Sequence, residues 1–209
     1  MRQFPNPSTV EIQECLLRFL FGYERSFLTS AVRLAYSDLS RTLHGIAAHD
    51  PKGHLREAAT SLLEGAIRTV VSTATGQESF DRWHQATCHD LRQTYRAAAF
   101  GGFCFGHAQK WVNMAIKYSA LLGDRAVQGG HNLFRFGHVP IDSLVVSAFS
   151  RTEFSLPAPL RIESWSRLDS YDTYMAFQHW VRDTFAGSAP LAVEFVIWQE
   201  EATRNAGAT

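Results

Sequence analysis

The segment GHAQKWVNMAIKYSALLG, residues 106–123, is a long run of helix-forming residues that contains two lysines. Its apolar residues recur at three- and four-residue spacing, which predicts a helix that is buried on most of its sides. Four polar residues fall on one stripe of this helix: Gln109, Lys110, Asn113 and Lys117. Because an ammonium group in such a helix must be paired, hydrated or deprotonated, the stripe is predicted to face a cleft.

Helical periodicity continues on both sides of this lysine helix. Residues 79–150 are predicted to form a helical core that includes it, and residues 9–73 and 168–200 to form flanking amphipathic helices. Only LAVEFVIW, residues 191–198, has a pattern that also permits a strand. The sequence therefore predicts a single all-α domain over residues 1–209.

The composition excludes several classes of protein. Twenty Lys and Arg residues balance 20 Asp and Glu residues, so a site for nucleic acid must be a local patch and not a global positive field. The N-terminus lacks an apolar signal core, and no apolar run approaches the roughly 20 residues of a membrane helix. We therefore expect a soluble cytoplasmic protein that has no membrane partner.

Lys110 and Asp142 are the candidate catalytic pair. Lys110 lies just after Gly106, where the dipole at the start of the helix disfavours a positive charge, and desolvation acts in the same direction. Both effects favour the neutral amine that a nucleophile must present. Asp142 follows Pro140 and is predicted to cap the next helix, where free backbone N–H groups stabilise its anion. Such a pair suits the displacement of a leaving group at a sugar carbon.

The motif HAQKWVNMAIKYSALLG followed by HVPIDSLV resembles the core of the helix-hairpin-helix DNA glycosylase superfamily. In that family a lysine opens a helix after a tight turn, and an aspartate follows in a Val-Pro-Val-Asp-like segment. The long insert between the two is most similar to the divergent archaeal 8-oxoguanine DNA glycosylase clade. The resemblance covers residues 104–150, and the hairpin GFCFGHAQK keeps Gly102 and Gly106 but has bulky residues where the family has Gly-x-Gly.

This resemblance implies a helix-hairpin-helix fold and a DNA repair enzyme that is both glycosylase and β-lyase. Lys110 would attack C1′ of a flipped nucleotide, expel a damaged or modified base and form a Schiff base. Asp142 would stabilise positive charge on the sugar and help to deprotonate the amine. The implied partner is DNA or another nucleic acid, or a free nucleotide, and the reaction requires no cofactor and no metal.

Further substrate contacts are predicted on the polar stripe and on the glycine-rich loop that follows it. Phe134 or Phe136 is a candidate to stack on the extruded base. Lys117 is a candidate to contact a phosphate, and it is the second candidate for the nucleophile after Lys110. The full set of predicted substrate-binding residues is Gln109, Trp111, Asn113, Lys117, His131, Phe134, Arg135 and His138.

Two other functions remain open from the sequence. Arg82 and His89 have an R-x6-H spacing that resembles the active site of HEPN-type ribonucleases, small all-α proteins that pair such residues across a dimer. The other alternative is a non-catalytic helical interaction protein that retains a glycosylase-like core. Neither the oligomeric state nor the base that is recognised can be inferred from the sequence.

The cysteines are few and odd in number, which predicts reduced thiols and excludes a four-cysteine iron–sulfur cluster within this chain. A set of zinc-capable side chains has the permissive spacing H-x3-C…C-x2-H: His84, Cys88, Cys104 and His107. Core residues whose polar atoms are satisfied are the more common explanation of such a set, so no metal site is predicted.

Overall fold

The computed structural model describes residues 8–207, which form nine α-helices, several short 3-10 turns and no β-strand. The prediction of an all-α fold is confirmed for this part of the chain, and residues 1–7 and 208–209 of the predicted domain lie outside it. The helices are α1 (Thr9–Phe21), α2 (Phe27–Ser40), α3 (Ile46–His49), α4 (His54–Thr73), α5 (Gln77–Ala97), α6 (Phe105–Leu122), α7 (Ser143–Phe149), α8 (Tyr171–Thr184) and α9 (Pro190–Gly207).

Helix α6, which contains the two lysines, lies at the centre of the fold. It packs against α2 and α5, and also against the 3-10 turns Gly130–Arg135 and Trp165–Arg167. Trp111 is completely buried between α6 and α2, and its indole N–H donates to the carbonyl oxygen of Val32 at 2.9 Å. The apolar periodicity of the sequence therefore identified the most buried helix correctly.

The N-terminus of α6 differs from the expectation in the position of Lys110. The helix begins at Phe105, so Lys110 lies in its second turn and not in its first, where the helix dipole is strongest. The backbone N–H of Gly106 donates to the carbonyl oxygen of Leu168 at 2.7 Å, and the N–H of Phe105 donates to the Asp169 carboxylate at 3.3 Å. These amides are therefore bonded within the protein and are not free to hold a phosphate.

The C-terminal helix α9 includes residues 191–198, the segment whose pattern also permitted a strand. A strand here would be wrong because Leu191, Glu194 and Ile197 are all buried, and their three-residue spacing gives one face of a helix. This helix packs against α7 and closes one side of the site described below.

Helix α1 contributes little to the core. None of its residues is buried, and the apolar side chains of Leu16, Phe19 and Leu20 are each more than half exposed. Among the described helices, none combines the length and the apolar character that a membrane span requires.

Candidate active site

Asp142 is the N-cap of α7, as the sequence predicts. Its Oδ1 atom accepts the backbone N–H of Val145 at 2.9 Å, which satisfies one of the free amides at the helix start. Its Oδ2 atom points the other way and lies 3.3 Å from Nζ of Lys110. The short helix thereby fixes the direction of the carboxylate relative to the lysine.

Lys110 extends from α6 into the space between α7 and the turn Trp165–Arg167. Its Nζ atom lies 4.7 Å from the centre of the Trp165 ring, in addition to its contact with Asp142. The side chains of Lys110 and Asp142 are only 9% and 15% exposed, so this ion pair is largely shielded from water. Electrostatic interactions are stronger in such a shielded position than at the open surface.

The lysine–aspartate pair forms part of the wall of a cleft of about 560 Å³ that is lined by α2, α6, α7 and α9. The cleft combines charged groups with apolar and aromatic surfaces, which is the usual composition of a site for a small organic group. Its lining residues are Asp38, Arg41, Lys110, Met114, Lys117, Tyr118, Leu121, Asp142, Ser143, Leu144, Glu194, Phe195, Trp198 and Gln199.

A second ion pair lies in the same cleft. Nζ of Lys117 is 2.6 Å from a carboxylate oxygen of Glu194, and it is 3.9 Å from the centre of the Phe195 ring. Burial raises the pKa of Glu194, and the neighbouring Lys117 ammonium opposes that shift. Lys117, the other lysine of the stripe, therefore forms a buried ion pair with a residue of α9, a helix that is distant in sequence.

A third polar contact joins α2 to α6 across the cleft. The hydroxyl of Tyr118 donates to Oδ2 of Asp38 at 2.8 Å. Burial raises the pKa of Asp38, and this shift is opposed by the hydrogen bond from Tyr118 and by the charge of Lys110. Burial and the nearby Asp38 carboxylate also raise the pKa of Tyr118, so its phenol remains a hydrogen-bond donor at neutral pH.

Four predicted substrate contacts lie away from the cleft. Gln109 and Asn113 face the extended segment before Asp142 and helix α8, so the polar residues of α6 form two stripes and not one. His138 is fully buried and bonds to Tyr174 and to a carboxylate on α5, and Trp111 is enclosed in the core. In this conformation all four are bonded to or packed against other parts of the protein.

The predicted contacts in the loop after α6 also lie outside the cleft lining. His131 is exposed and lies 3.6 Å from the carboxylate of Asp124, and the Arg135 guanidinium lies over the Phe136 ring. The ring of Phe134 stacks on Phe195, with 6.2 Å between ring centres. Phe195 lines the cleft, so Phe134 packs behind that lining and does not face the cleft itself.

The residues of the ribonuclease alternative are on the surface of α5. Arg82 is 66% exposed and forms an ion pair with Glu78, while His89 is 63% exposed and contacts Asp90 and Gln93. Neither residue is among those that line the cleft of Lys110 and Asp142. Because such enzymes pair these residues across a dimer, this alternative stays a prediction.

The four zinc-capable side chains form two separate contacts. Cys88 touches the ring of His84 at 3.7 Å, and Cys104 lies 3.1 Å from Nδ1 of His107. Within residues 8–207, no group of three or more His, Cys, Asp or Glu side chains is arranged to hold a metal ion. The three cysteines are free thiols.

Several residues of the cleft were not identified from the sequence. Glu194 is the most informative, because it is the only charged residue in the apolar run LAVEFVIW and could have been recognised by that isolation. Asp38, Tyr118 and Trp198 carry no comparable local signal. Their positions in the cleft depend on how α2 and α9 pack against α6.

The site thus unites a lysine–aspartate pair, a lysine–glutamate pair and aromatic walls in one cleft of the described residues. Comparisons with protein-family models, with curated proteins and with solved structures gave no match to this chain. The functional inference therefore depends on the chemistry of this cleft.

Proposed function

We propose that the protein is a DNA glycosylase with β-lyase activity, and that Lys110 forms a Schiff base with the sugar of a damaged nucleotide. The observation that carries this proposal is the 3.3 Å contact between Nζ of Lys110 and Oδ2 of Asp142 in the wall of a cleft. An amine beside a carboxylate in a partly desolvated site has the two groups that this reaction needs.

The proposed reaction is a substitution at C1′ of the sugar, followed by an elimination. Asp142 first takes a proton from the paired Lys110 ammonium, which frees the Nζ lone pair. That lone pair forms a bond to C1′, the bond from C1′ to the base nitrogen breaks, and the base leaves with the electron pair of that bond and takes the proton from Asp142. The Asp142 carboxylate, having given up that proton, stabilises positive charge on the sugar and then accepts the second proton that the bound amine loses. Ring opening, in which the ring oxygen takes this proton from Asp142, gives the protonated imine. A C2′ proton is then lost to water, and the bond from C3′ to oxygen breaks as the 3′-phosphate leaves, which completes β-elimination.

The remainder of the cleft has the features of a slot for a flipped base. Trp198, Phe195 and Met114 provide apolar surface for a planar ring. Lys117 and Glu194 supply a hydrogen-bond donor and an acceptor for the edge of that ring. Since the sequence resembles 8-oxoguanine glycosylases, an oxidised guanine is the base to test first.

Contacts to the DNA backbone must come from a few local cations. The exposed Arg41 lies at the cleft, whereas the first amides of α6 are bonded to the segment around Leu168. A hairpin that binds phosphate through these amides therefore requires that segment to move. With few phosphate contacts, we expect the affinity for undamaged DNA to be low and only moderately dependent on salt.

An interaction protein is the second candidate, and the exposed face of α1 favours it. Leu16, Phe19 and Leu20 leave a run of apolar surface uncovered by the rest of the described chain. Surface of this kind marks contacts with other proteins more often than catalysis. A helical interaction protein would not require the ion pairs of the cleft for its activity.

The proposal is tested by trapping the imine. The purified protein is incubated with end-labelled oligonucleotides that contain 8-oxoguanine, uracil or an abasic site, and borohydride is added to reduce the imine to a stable amine. We expect a covalent adduct with at least one of these substrates. The chain contains only three lysines, Lys52, Lys110 and Lys117, which makes the variants decisive.

We expect the adduct to disappear in Lys110→Gln and to persist in Lys52→Gln, the matched control on the exposed surface. An adduct that persists in Lys110→Gln would contradict the proposed nucleophile. The absence of any adduct, under conditions in which a known β-lyase is trapped, would reject the enzyme. RNA cleavage that is lost in His89→Ala would instead support the ribonuclease.

A further inference from the structure

The extended segment that precedes Asp142 is held at two points by buried glutamine side chains. Gln178 of α8 accepts the N–H of Val139 at 3.0 Å and donates to its carbonyl oxygen at 2.9 Å. Gln109 of α6 accepts the N–H of Ile141 at 3.2 Å and donates to its carbonyl oxygen at 2.9 Å. Each amide thus replaces the two backbone bonds that a neighbouring β-strand would make.

Gln109 is itself held firmly. Its amide nitrogen also donates to the carbonyl oxygen of Gly106 at 3.0 Å, and its amide oxygen also accepts from Asn113 at 3.1 Å. Asn113 in turn donates to the hydroxyl of the buried Tyr174 at 2.8 Å. Because every bond is buried and Gln109 has no exposed surface, the amide has little freedom to change its orientation.

The position of Gln109 relates it directly to the proposed catalytic pair. Gln109 precedes Lys110 in the chain, and its partner Ile141 precedes Asp142. The amide therefore joins the backbones of the two segments one residue before each reacting group. Among the described residues no other side chain hydrogen-bonds to Ile141, so this amide alone holds the backbone of the residue before Asp142 to α6.

We infer that Gln109 is a positioning residue that sets the distance between the Lys110 amine and the Asp142 carboxylate. This inference rests on the proposed function for its catalytic consequence, although the geometric part stands without it. A lysine side chain has a flexible four-carbon stem, so the element that fixes the distance is the carboxylate and the backbone that carries it. A displacement of about 1 Å between reacting groups can lower a rate by about 100-fold.

The test compares Gln109→Met with Gln178→Met. Both substitutions remove a completely buried amide that makes two bonds to the same segment, but Gln109 also bonds Gly106 and Asn113, so we expect a somewhat larger loss of thermal stability in Gln109→Met. Only Gln109→Met releases the residue next to Asp142. We expect it to lower the single-turnover rate of trapping between about 10- and 100-fold with less than about threefold change in the Kd for DNA. Gln178→Met should lower that rate by less than about threefold.

A second variant serves if Gln109→Met does not fold. The protonated carboxyl of Gln109→Glu keeps the acceptor for the Ile141 N–H and one of the two donors, so we expect a smaller fall in rate than in Gln109→Met. Equal rates in wild type and in either Gln109 variant would overturn the inference. So would an equal loss of rate in Gln178→Met, which would indicate general destabilisation.

A structural measurement separates this inference from the proposed function. If the wild-type protein forms no adduct, the glycosylase proposal fails, and crystal structures of the two methionine variants still test the geometry. We expect the distance from Nζ of Lys110 to the Asp142 carboxylate to increase by at least about 1 Å in Gln109→Met and to stay unchanged in Gln178→Met. An unchanged distance in Gln109→Met would overturn the positioning role.

Discussion

Only one oxygen of the Asp142 carboxylate faces Lys110. Oδ2 lies 3.3 Å from Nζ, whereas Oδ1 accepts the N–H of Val145 at 2.9 Å and caps α7. The carboxylate therefore has a structural task and a proposed chemical task on different atoms. Because an amide side chain can replace the cap but not the negative charge, substitutions can separate the two tasks.

Asp142→Asn and Asp142→Ala provide this separation. Both remove the charge, so we expect both to lower the single-turnover rate of imine trapping by at least about 100-fold. Asparagine still caps the helix, so we expect Asp142→Ala to have a free energy of unfolding about 1 kcal/mol lower than that of Asp142→Asn. Urea unfolding measures this difference. A rate in Asp142→Asn within tenfold of wild type would show that the negative charge is not needed.

From the buried Lys117–Glu194 ion pair we predict a large interaction energy between α6 and α9. Their side chains are only 9% and 2% exposed, so removing one partner leaves a buried charge. We expect Lys117→Met to lower the free energy of unfolding by about 3 kcal/mol at neutral pH, and the double variant Lys117→Met, Glu194→Gln to lose less than the sum of the single losses. Strict additivity in a double-mutant cycle would contradict a direct pair.

The loss of unfolding free energy in Lys117→Met should depend on pH. Burial raises the pKa of Glu194 above its ordinary value of 4.5, and removing the ammonium raises it further. A carboxyl group with a raised pKa contributes stability that is fully present below 4.5 and is lost as the pH rises through its folded-state pKa. The difference in unfolding free energy between Lys117→Met and wild type should therefore shrink as the pH falls from 7 towards 4.5. A constant difference would contradict this account.

Because His138 is buried, we predict that the protein loses stability in acid. Burial lowers its pKa from 6.5 to about 4, although its bond to Asp81 opposes the shift. A depressed pKa contributes stability that is present above pH 6.5 and is lost as the pH falls through 4. The loss amounts to about 3 kcal/mol for this residue. We expect unfolding free energies measured across this range to fall less steeply in His138→Gln, and to follow wild type in His131→Gln, an exposed control.

At Gly106, near the N-terminus of α6, close packing leaves no room for a side chain. A Cβ atom at this position would lie 1.8 Å from the carbonyl oxygen of Trp165, so the backbone of that segment would have to move. We expect Gly106→Ala to lower the free energy of unfolding by about 2–3 kcal/mol. Gly65, within α4, has no atom within 4 Å of such a Cβ, so Gly65→Ala should raise stability by about 0.5–1 kcal/mol. Equal effects of the two substitutions on urea unfolding would contradict the close packing.

The all-α class, the buried lysine helix and the Asp142 cap were predictable from the sequence. Each of these features depends on local information: apolar periodicity, glycine at helix ends and an aspartate before an apolar run. The partners of the first amides of α6 could not be predicted, because the N–H groups of Phe105 and Gly106 donate to residues more than 60 positions away. No local pattern records such a contact.

The composition of the cleft was only partly predictable, for the same physical reason. Periodicity showed that Gln109 and Lys110 lie on the polar side of α6, but neighbouring residues of a helix point about 100° apart. The direction in which each one faces depends on the packing of α8 and α9. Glu194 reaches the cleft through the packing of α9, and Asp38 through the packing of α2 against α6, so their role could not be inferred from sequence spacing.

The most direct test of the central claim is to locate the reduced adduct by mass spectrometry of peptides from trapped wild-type protein. With only three lysines in the chain, the site of attachment is unambiguous. We expect the sugar remnant to be attached to Nζ of Lys110 and to neither Lys52 nor Lys117. Attachment to Lys117 or to the chain's α-amine, or no attachment at all, would contradict that claim.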